Sequence, residues 1–341
     1  MKWMQKLCRG LWGLAGLGLI LAMAACGGTG RAGEEVKARD GDGRLKVVTT
    51  IFPYYDFVRQ IAGGQVELTL VVPAGMDSHS FEPTPADLRR IQEADLLICN
   101  GGAMEHWLEE VLDATEEQNF TVITLMDYVD TVEEELVEGM EDAGHGDHGS
   151  HGDHGHEGEP GSGQEERDEH IWTSPVNAMR LVEAIRDALG QQDPLHAREY
   201  REAAGTYLEE LERIDREFQE VSAQRRHDLI VVGDKFPFRY LAEEYGFGYR
   251  AAFSGCSTDT EPSARTIAYL IDKVRSEGIP VVYYLELSST RVAEIIGEET
   301  GAQPLLLHSC HNVTRREFEA GVTYVGLMEQ NIENLRKGLD G

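Results

Sequence analysis

Hydrophobic positions in the first half of the chain alternate between short continuous runs and longer stretches with a helical period. The strand-like runs cover residues 45–51, 66–72, 95–99 and 120–125, and the helix-like stretches cover 55–62, 84–93 and 104–112. Strands that alternate with helices are typical of a parallel sheet covered by helices. The pattern therefore predicts an α/β lobe, which we place at residues 45–130.

The second half of the chain repeats this plan. Strand-like runs occur at 228–232, 249–253, 280–285 and 304–308, separated by helix-like stretches near 237–245, 263–277 and 290–300. We therefore predict a second α/β lobe at residues 227–341. Each lobe is expected to hold a roughly four-stranded parallel sheet with flanking helices.

The region between the predicted lobes has the apolar spacing of long helices. From Tyr200 to Val221, apolar residues recur at alternating steps of four and three, which predicts an amphipathic helix. Asp193 and Pro194 have the residue types of a helix cap and a first helical position, so we predict that this helix opens there. Residues 170–226 are expected to join the lobes through such helices.

The N-terminus has the pattern of an export signal. Three basic residues precede an apolar stretch, residues 11–25, that is short for a membrane-spanning helix. The stretch ends in Ala24-Ala25-Cys26, which resembles a bacterial lipoprotein cleavage site. We expect a signal peptide at 1–25, lipidation of Cys26 that anchors the chain to the membrane, and a flexible tether at 26–44. Ordinary signal cleavage beside an incidental cysteine is the alternative.

Composition narrows the possible functions. The chain has 341 residues, with 61 acidic and 31 basic side chains and a formal charge of −30. This surplus of acid argues against a nucleic-acid-binding protein, because binding to phosphates needs a surplus of lysine and arginine. Five cysteines are too few for a disulfide-rich scaffold.

One acidic segment, residues 131–169, breaks the α/β pattern. Its centre is rich in glycine and histidine, and glycine at this density does not pack a core, so we expect a mobile surface loop. Imidazole is a common ligand of zinc, copper and nickel. We expect auxiliary metal binding by the loop histidines, the alternative being a solvated linker; they are His145, His148, His151, His154 and His156.

Four residues outside the centre of that loop are candidate metal ligands. His79 follows the strand at 66–72, Asp234 follows the strand at 228–232, and His308 ends the last strand. His170 lies where the chain enters the linking helices. Ligands of open α/β sheets bind beyond the carboxyl ends of the strands, and three of these residues are at such ends. A lone histidine is more often structural, but several at equivalent strand ends favour a shared site.

Common enzyme signatures are missing from the sequence. It contains no HExxH pair, no CxxC pair, no GxSxG elbow and no Walker loop. We therefore predict a protein that is not an enzyme. A catalytic zinc with three protein ligands and one open position remains an alternative.

Three motifs resemble one known family. The segment from Val48 to Tyr54 resembles the family's first strand and turn, and residues 73–87 resemble its PxGxxPHxFEPTPxD element, with Ser78 in place of the second proline. Residues 170–177 resemble its HxWxxPxN element. The family is the metal-binding lipoproteins of bacterial ABC importers, zinc branch. The resemblance implies one Zn²⁺ bound in an interlobe cleft, with His79 and His170 as ligands.

The second lobe departs from the family pattern. Where relatives carry a histidine or glutamate after the first strand of this lobe, Asp234 is the nearest carboxylate, and His308 aligns with the usual aspartate. His311 is an alternative to His308. Glu286 matches an acidic position and is expected to orient an imidazole.

Two cysteines follow strands of the second lobe. We hypothesise that Cys256 and Cys310 form a disulfide beside the cleft, the alternative being two unpaired thiols.

The resemblance implies a monomeric extracytoplasmic zinc receptor that delivers its cargo to an ABC permease powered by a cytoplasmic ATPase. Two alternatives remain open. One is a manganese or iron receptor of the same family, and the other is a surface adhesin or zinc-buffering lipoprotein.

Overall fold

The computed structural model describes residues 43–113, 119–140, 167–257 and 261–340. The first lobe begins with a buried strand and alternates strands with helices, as the hydrophobic pattern predicts. Its sheet is parallel, with strand order β2-β1-β3-β4. The elements are β1 (Leu45–Thr49), α1 (Phe52–Ala62), β2 (Val66–Leu70), α2 (Pro85–Gln92), β3 (Leu96–Cys99), α3 (His106–Asp113) and β4 (Thr121–Thr124).

Two long helices occupy the region between the lobes. Helix α4 covers Pro175–Gln192, and helix α5 covers Ala197–Gln224. The apolar stripe of α5 is buried along its whole length, as predicted. The prediction that this helix starts at Asp193 and Pro194 is wrong, because α5 begins at Ala197. The Asp193 carboxylate accepts hydrogen bonds from His196 Nδ1 at 2.7 Å and from the Tyr200 hydroxyl at 2.9 Å, so it closes the turn before α5.

The second lobe repeats the topology of the first. Its parallel sheet has the order β6-β5-β7-β8. The elements are β5 (Leu229–Phe236), α6 (Arg239–Tyr245), β6 (Gly248–Ser254), α7 (Ala264–Glu277), β7 (Val281–Tyr284), α8 (Arg291–Thr300), β8 (Gln303–Leu306), α9 (Arg315–Glu319) and α10 (Tyr324–Leu339). Strand β5 is longer than predicted because it continues past a register shift between Val232 and Lys235.

One hydrophobic core extends across both lobes. The buried faces of α1, α5 and α10 belong to a single cluster of packed side chains. Trp172 is a fully buried member of this cluster, and its carbonyl accepts a hydrogen bond from the Tyr324 hydroxyl at 2.7 Å. The linking helices therefore pack against both lobes, and the predicted two-lobe fold is confirmed.

The ends of the acidic segment are packed against the second lobe. Glu133 and Arg167 form an antiparallel bridge, and the Glu134 carboxylate accepts a hydrogen bond from the Cys256 amide at 2.8 Å. The Tyr240 hydroxyl donates to the Asp168 carbonyl at 2.6 Å. The predicted mobile segment therefore does not include these ends.

The predicted disulfide between Cys256 and Cys310 is wrong. Both residues are free cysteines. The Cys310 thiol is buried, lying 3.8 Å from Met328 Sδ, while the Cys256 amide is held by Glu134. The two cysteines therefore contact different neighbours and do not contact each other.

Some predictions lie outside the described residues. They concern the signal peptide, the lipidation of Cys26 and the histidines from His145 to His156. Among the helices of the described part, none combines the length and apolar character that crossing a bilayer requires.

Candidate metal centre

Three histidines from separate segments meet between the two lobes. His79 lies on a short 3₁₀ turn after β2, His170 precedes α4, and His311 follows β8. One ligand atom of each lies within 4.8 Å of those of the other two. Their ring centroids are 5.6 to 6.0 Å apart. Three imidazoles so arranged can bind one transition-metal ion.

The loop that carries His79 is held by both lobes. The Asp77 carboxylate accepts a hydrogen bond from the His79 amide at 2.9 Å, which fixes the 3₁₀ turn. From the second lobe, Asn312 Nδ2 donates to the carbonyls of Pro73 at 2.9 Å and Met76 at 2.7 Å. The loops of His79 and His311 are therefore fixed relative to each other.

His170 is buried and oriented by an acidic neighbour. Asp168 Oδ1 accepts a hydrogen bond from the His170 amide at 2.8 Å and lies 3.1 Å from its Nδ1. This pairing leaves Nε2 for a metal, an arrangement common in metal sites. A Cβ atom at Gly255 would come within 3.2 Å of the His170 ring, so glycine fits this position better than any residue with a side chain.

His311 is placed by an unusual backbone conformation and by two serines. Cys310 has a φ of 61°, in the left-handed region, which turns the chain between His308 and His311. The His311 amide donates to Ser309 Oγ at 3.2 Å, and its Nε2 is hydrogen-bonded to the hydroxyl of Ser78. His311 Nδ1 is then the ring nitrogen left for a metal.

Burial and mutual repulsion keep two of the three imidazoles neutral. Burial, followed by the positive charge of protonated His170, lowers the pKa of His79 to about 4. Burial and the neighbouring imidazoles also hold the pKa of His311 well below its usual range. Burial is the largest influence on His170 and opposes its protonation as well, but the carboxylates of Asp168, Glu169 and Glu134 together raise the pKa of His170. Neutral imidazoles are the form that binds metals.

The three histidines line a cleft of about 280 Å³. Both lobes contribute to its walls. Charged residues that line it with the histidines are Asp77, Asp234, Lys235 and Glu286.

Comparison with known proteins identifies the family. The family model described as "Zinc-uptake complex component A periplasmic" matches residues 47–338. The chain belongs to this family. The match includes both lobes and the helices between them, and it confirms the resemblance drawn from the motifs around His79 and His170.

Individual relatives agree with this assignment. The zinc-binding lipoprotein AdcA of Streptococcus pneumoniae is 33% identical over 305 residues, which cover 89% of this chain and 57% of the relative. The high-affinity zinc uptake system protein ZnuA of Bacillus subtilis is 30% identical over 320 residues, 94% of each chain. The chain thus spans little more than half the length of the streptococcal relative.

A solved structure has the same fold. The Zn(II)-bound ZnuA-like domain of Streptococcus pneumoniae AdcA matches with a TM-score of 0.70 at 29% identity. The match covers 88% of this chain and 100% of that domain.

The structure brings together only some of the candidate ligands chosen from the sequence. His79 and His170 lie in the cluster. His308 does not, because it faces the interior: it is 1% exposed, and its Nδ1 accepts a hydrogen bond from the Cys310 amide at 2.9 Å. His311, named as the alternative, takes its place beside His79 and His170, and the left-handed residue Cys310 lies between it and His308.

Asp234 and Glu286 line the cleft without joining the histidine cluster. Asp234 Oδ1 accepts a hydrogen bond from the Lys235 amide at 2.8 Å. Glu286 accepts one from the Ser309 amide at 2.8 Å, and its Oε1 lies 3.6 Å from His308 Nδ1. Glu286 therefore supports the loop of His311 through Ser309 rather than through the His311 ring.

Three residues of the site were not chosen from the sequence. Asp168 stands two positions before His170, and Ser78 stands directly before His79 at a departure from the family motif. Lys235 follows Asp234. Nearness in the sequence to a candidate ligand is the signal that could have found each of them.

Proposed function

We propose that the chain is an extracytoplasmic zinc receptor that binds one Zn²⁺ through His79, His170 and His311. The observation that carries the proposal is the convergence of three imidazoles from different segments on one cleft. Family membership and the names of the relatives support zinc as the cargo. The proposed step is capture of the ion and its delivery, with no chemical conversion.

The donor set favours zinc over manganese. Imidazole nitrogen suits zinc, whereas manganese prefers carboxylate, carbonyl and water oxygens. Within the described part of the chain, the cluster has three nitrogen ligands and no carboxylate. A manganese or iron receptor of the same family is the alternative. Oxygen ligands that complete the coordination of the ion would favour it.

Competitive titration of the purified chain tests the cargo. We expect one tightly bound zinc that excess manganese does not displace. The variant His79→Ala should lose it, while His227→Ala, outside the cleft, should keep it. Preference for manganese in the same assay would contradict the proposal.

The auxiliary role of the histidine-rich loop remains a prediction. We expect that deletion of residues 144–156 leaves the tight zinc in place and removes only weaker binding. Loss of the tight site would mean that the loop supplies a ligand.

The proposed partners are an ABC permease with its cytoplasmic ATPase, and the membrane through a lipid on Cys26. Uptake of radioactive zinc by cells with and without this chain tests the transport role. Uptake that falls on deletion and returns with the intact chain supports a receptor. Unchanged uptake at limiting zinc would favour an adhesin or a zinc buffer. Release of a Cys26→Ala variant from membranes would support the anchor.

A further inference from the structure

The three histidines leave one position open on a tetrahedral ion. Zinc is bound by four ligands, and in sites with three protein ligands a molecule from solution takes the fourth position. The carboxylates near the cluster already have hydrogen-bond partners within the protein. Asp77 accepts from the His79 amide, Asp168 from His170, Asp234 from the Lys235 amide and Glu286 from the Ser309 amide.

Among the described charged groups that line the cleft, Lys235 is the one that is not engaged in this way. It lies at the register shift of β5, is half-buried, and lines the cleft together with all three histidines. Within the described residues, no ion pair or hydrogen bond involves its ammonium group. Asp234, its neighbour in the chain, contacts the Lys235 amide rather than the ammonium.

The ammonium group of Lys235 shares the cleft wall with the three histidines. A divalent ion bound by the histidines would add positive charge beside this ammonium group, and a small anion would offset part of that charge. In a partly buried cleft, the interaction between charges is stronger than in water.

We propose that the cleft binds zinc together with a small monoanion, a halide or a carboxylate, that fills the fourth ligand position and pairs with the ammonium of Lys235. This inference rests on the proposed function. The cleft of about 280 Å³ has room for an ion and a small anion, because a water molecule takes up only about 30 Å³. Lys235 would then determine which zinc species is captured.

Cobalt is the probe that reports on the fourth ligand, since the visible bands of tetrahedral Co²⁺ depend on the ligand set. The full chain is loaded with Co²⁺, and sodium chloride or sodium formate replaces sodium perchlorate at constant ionic strength. We expect each anion that binds to shift the cobalt bands. The zinc affinity should rise about tenfold, the size expected for one hydrogen bond to a charged group.

Three variants locate the effect. Lys235→Met should bind Co²⁺ and zinc but lose the response to anions, and Lys235→Arg should retain it because the positive charge remains. Lys273→Met, which removes a lysine of α7 paired with Glu277, should behave as the parent chain. A response to chloride alone or to formate alone would support the proposal and identify a halide or a carboxylate as the anion.

Other results would overturn the inference while leaving the receptor in place. Tight binding with cobalt bands that neither anion shifts would indicate water as the fourth ligand. Loss of tight binding in Asp234→Asn would assign that position to Asp234. An anion response that survives in Lys235→Met would exclude Lys235. Absence of tight metal binding in the parent chain would instead refute the proposed function.

Discussion

The two lobes share one topology but supply metal ligands in different ways. In the first lobe, the ligand His79 follows β2, an edge strand, and lies on a short turn fixed by the adjacent Asp77. In the second lobe, His311 follows β8, the opposite edge in the equivalent order, on a loop turned by left-handed Cys310. Equivalent strand ends therefore do not have equivalent roles.

The two lobes also differ at the strand equivalent to β2. After β6, the chain presents Gly255, which provides space for the His170 ring instead of a ligand. At the bulged end of β5, it presents Asp234 and Lys235 to the cleft. The fold thus brings strand ends to the cleft, and the local backbone decides which side chain becomes a ligand.

Removal of a first-lobe or linking-segment ligand should have the largest effect. We expect His79→Ala and His170→Ala each to weaken zinc binding by more than about a hundredfold, beyond the loss typical of residues that only support ligands. Competition with a chromophoric chelator measures this loss. His196→Ala, which alters a histidine paired with Asp193 outside the cleft, is the control. Retention of tight binding by His79→Ala would remove the first lobe from the site.

A buried acid of the first lobe should make the stability of the chain depend on pH. Burial raises the pKa of Glu105 from 4.5 to about 7, although its Oε2 accepts a hydrogen bond from the Gly101 amide. The folded chain therefore binds this proton more tightly than the unfolded chain does. As the pH rises from 4.5 to 7, the free energy of unfolding should fall by about 3 kcal/mol relative to that of Glu105→Gln.

Denaturant unfolding at several pH values measures the Glu105 effect. Glu110→Gln, at an exposed position on α3, should retain the pH dependence of the parent chain. Parallel pH profiles for the parent chain and Glu105→Gln would show that Glu105 does not titrate in this range.

The support of His170 by Asp168 should have an intermediate effect. Asp168→Asn removes the carboxylate beside Nδ1, and we expect zinc affinity to fall by about 10- to 100-fold, as for other partners of ligand histidines. Asp187→Asn, an exposed residue of α4, is the control. Affinity equal to that of the parent chain would show that His170 needs no acidic partner.

The contact of Ser78 with His311 should have the smallest effect. Ser78→Ala removes one hydrogen bond to the ring, which predicts a loss of zinc affinity of about three- to tenfold. Ser78→Thr should restore most of it because the hydroxyl returns, and Ser80→Ala controls for the loop. If Ser78→Thr binds zinc as weakly as Ser78→Ala does, the hydroxyl group of Ser78 does not contribute to zinc affinity.

The sequence predicts the first-lobe side of the site better than the second. His79 and His170 belong to contiguous motifs, so their neighbours along the chain carry the information that places them. The start of α2 is similarly local, since Thr84 and Asp87 form a capping box. The alternation of strands and helices also predicts both sheets.

The second-lobe ligand depends on features that residue types do not reveal. A cysteine rarely adopts a positive φ, so the turn at Cys310 that exchanges His308 for His311 leaves no signature in the sequence. The packing of the acidic segment is likewise a long-range property, since Glu135 and Glu138 pair with Arg239 and Arg250. Such pairs form only once the lobe has folded.

Zinc affinity of His311→Ala and His308→Ala, measured side by side, tests the central claim most directly. Circular dichroism first establishes that both variants are folded. We predict that His311→Ala weakens zinc binding by more than about a hundredfold while His308→Ala changes it by less than about threefold. The opposite order, with His308→Ala the weaker binder, would contradict the assignment of His79, His170 and His311 as the metal centre.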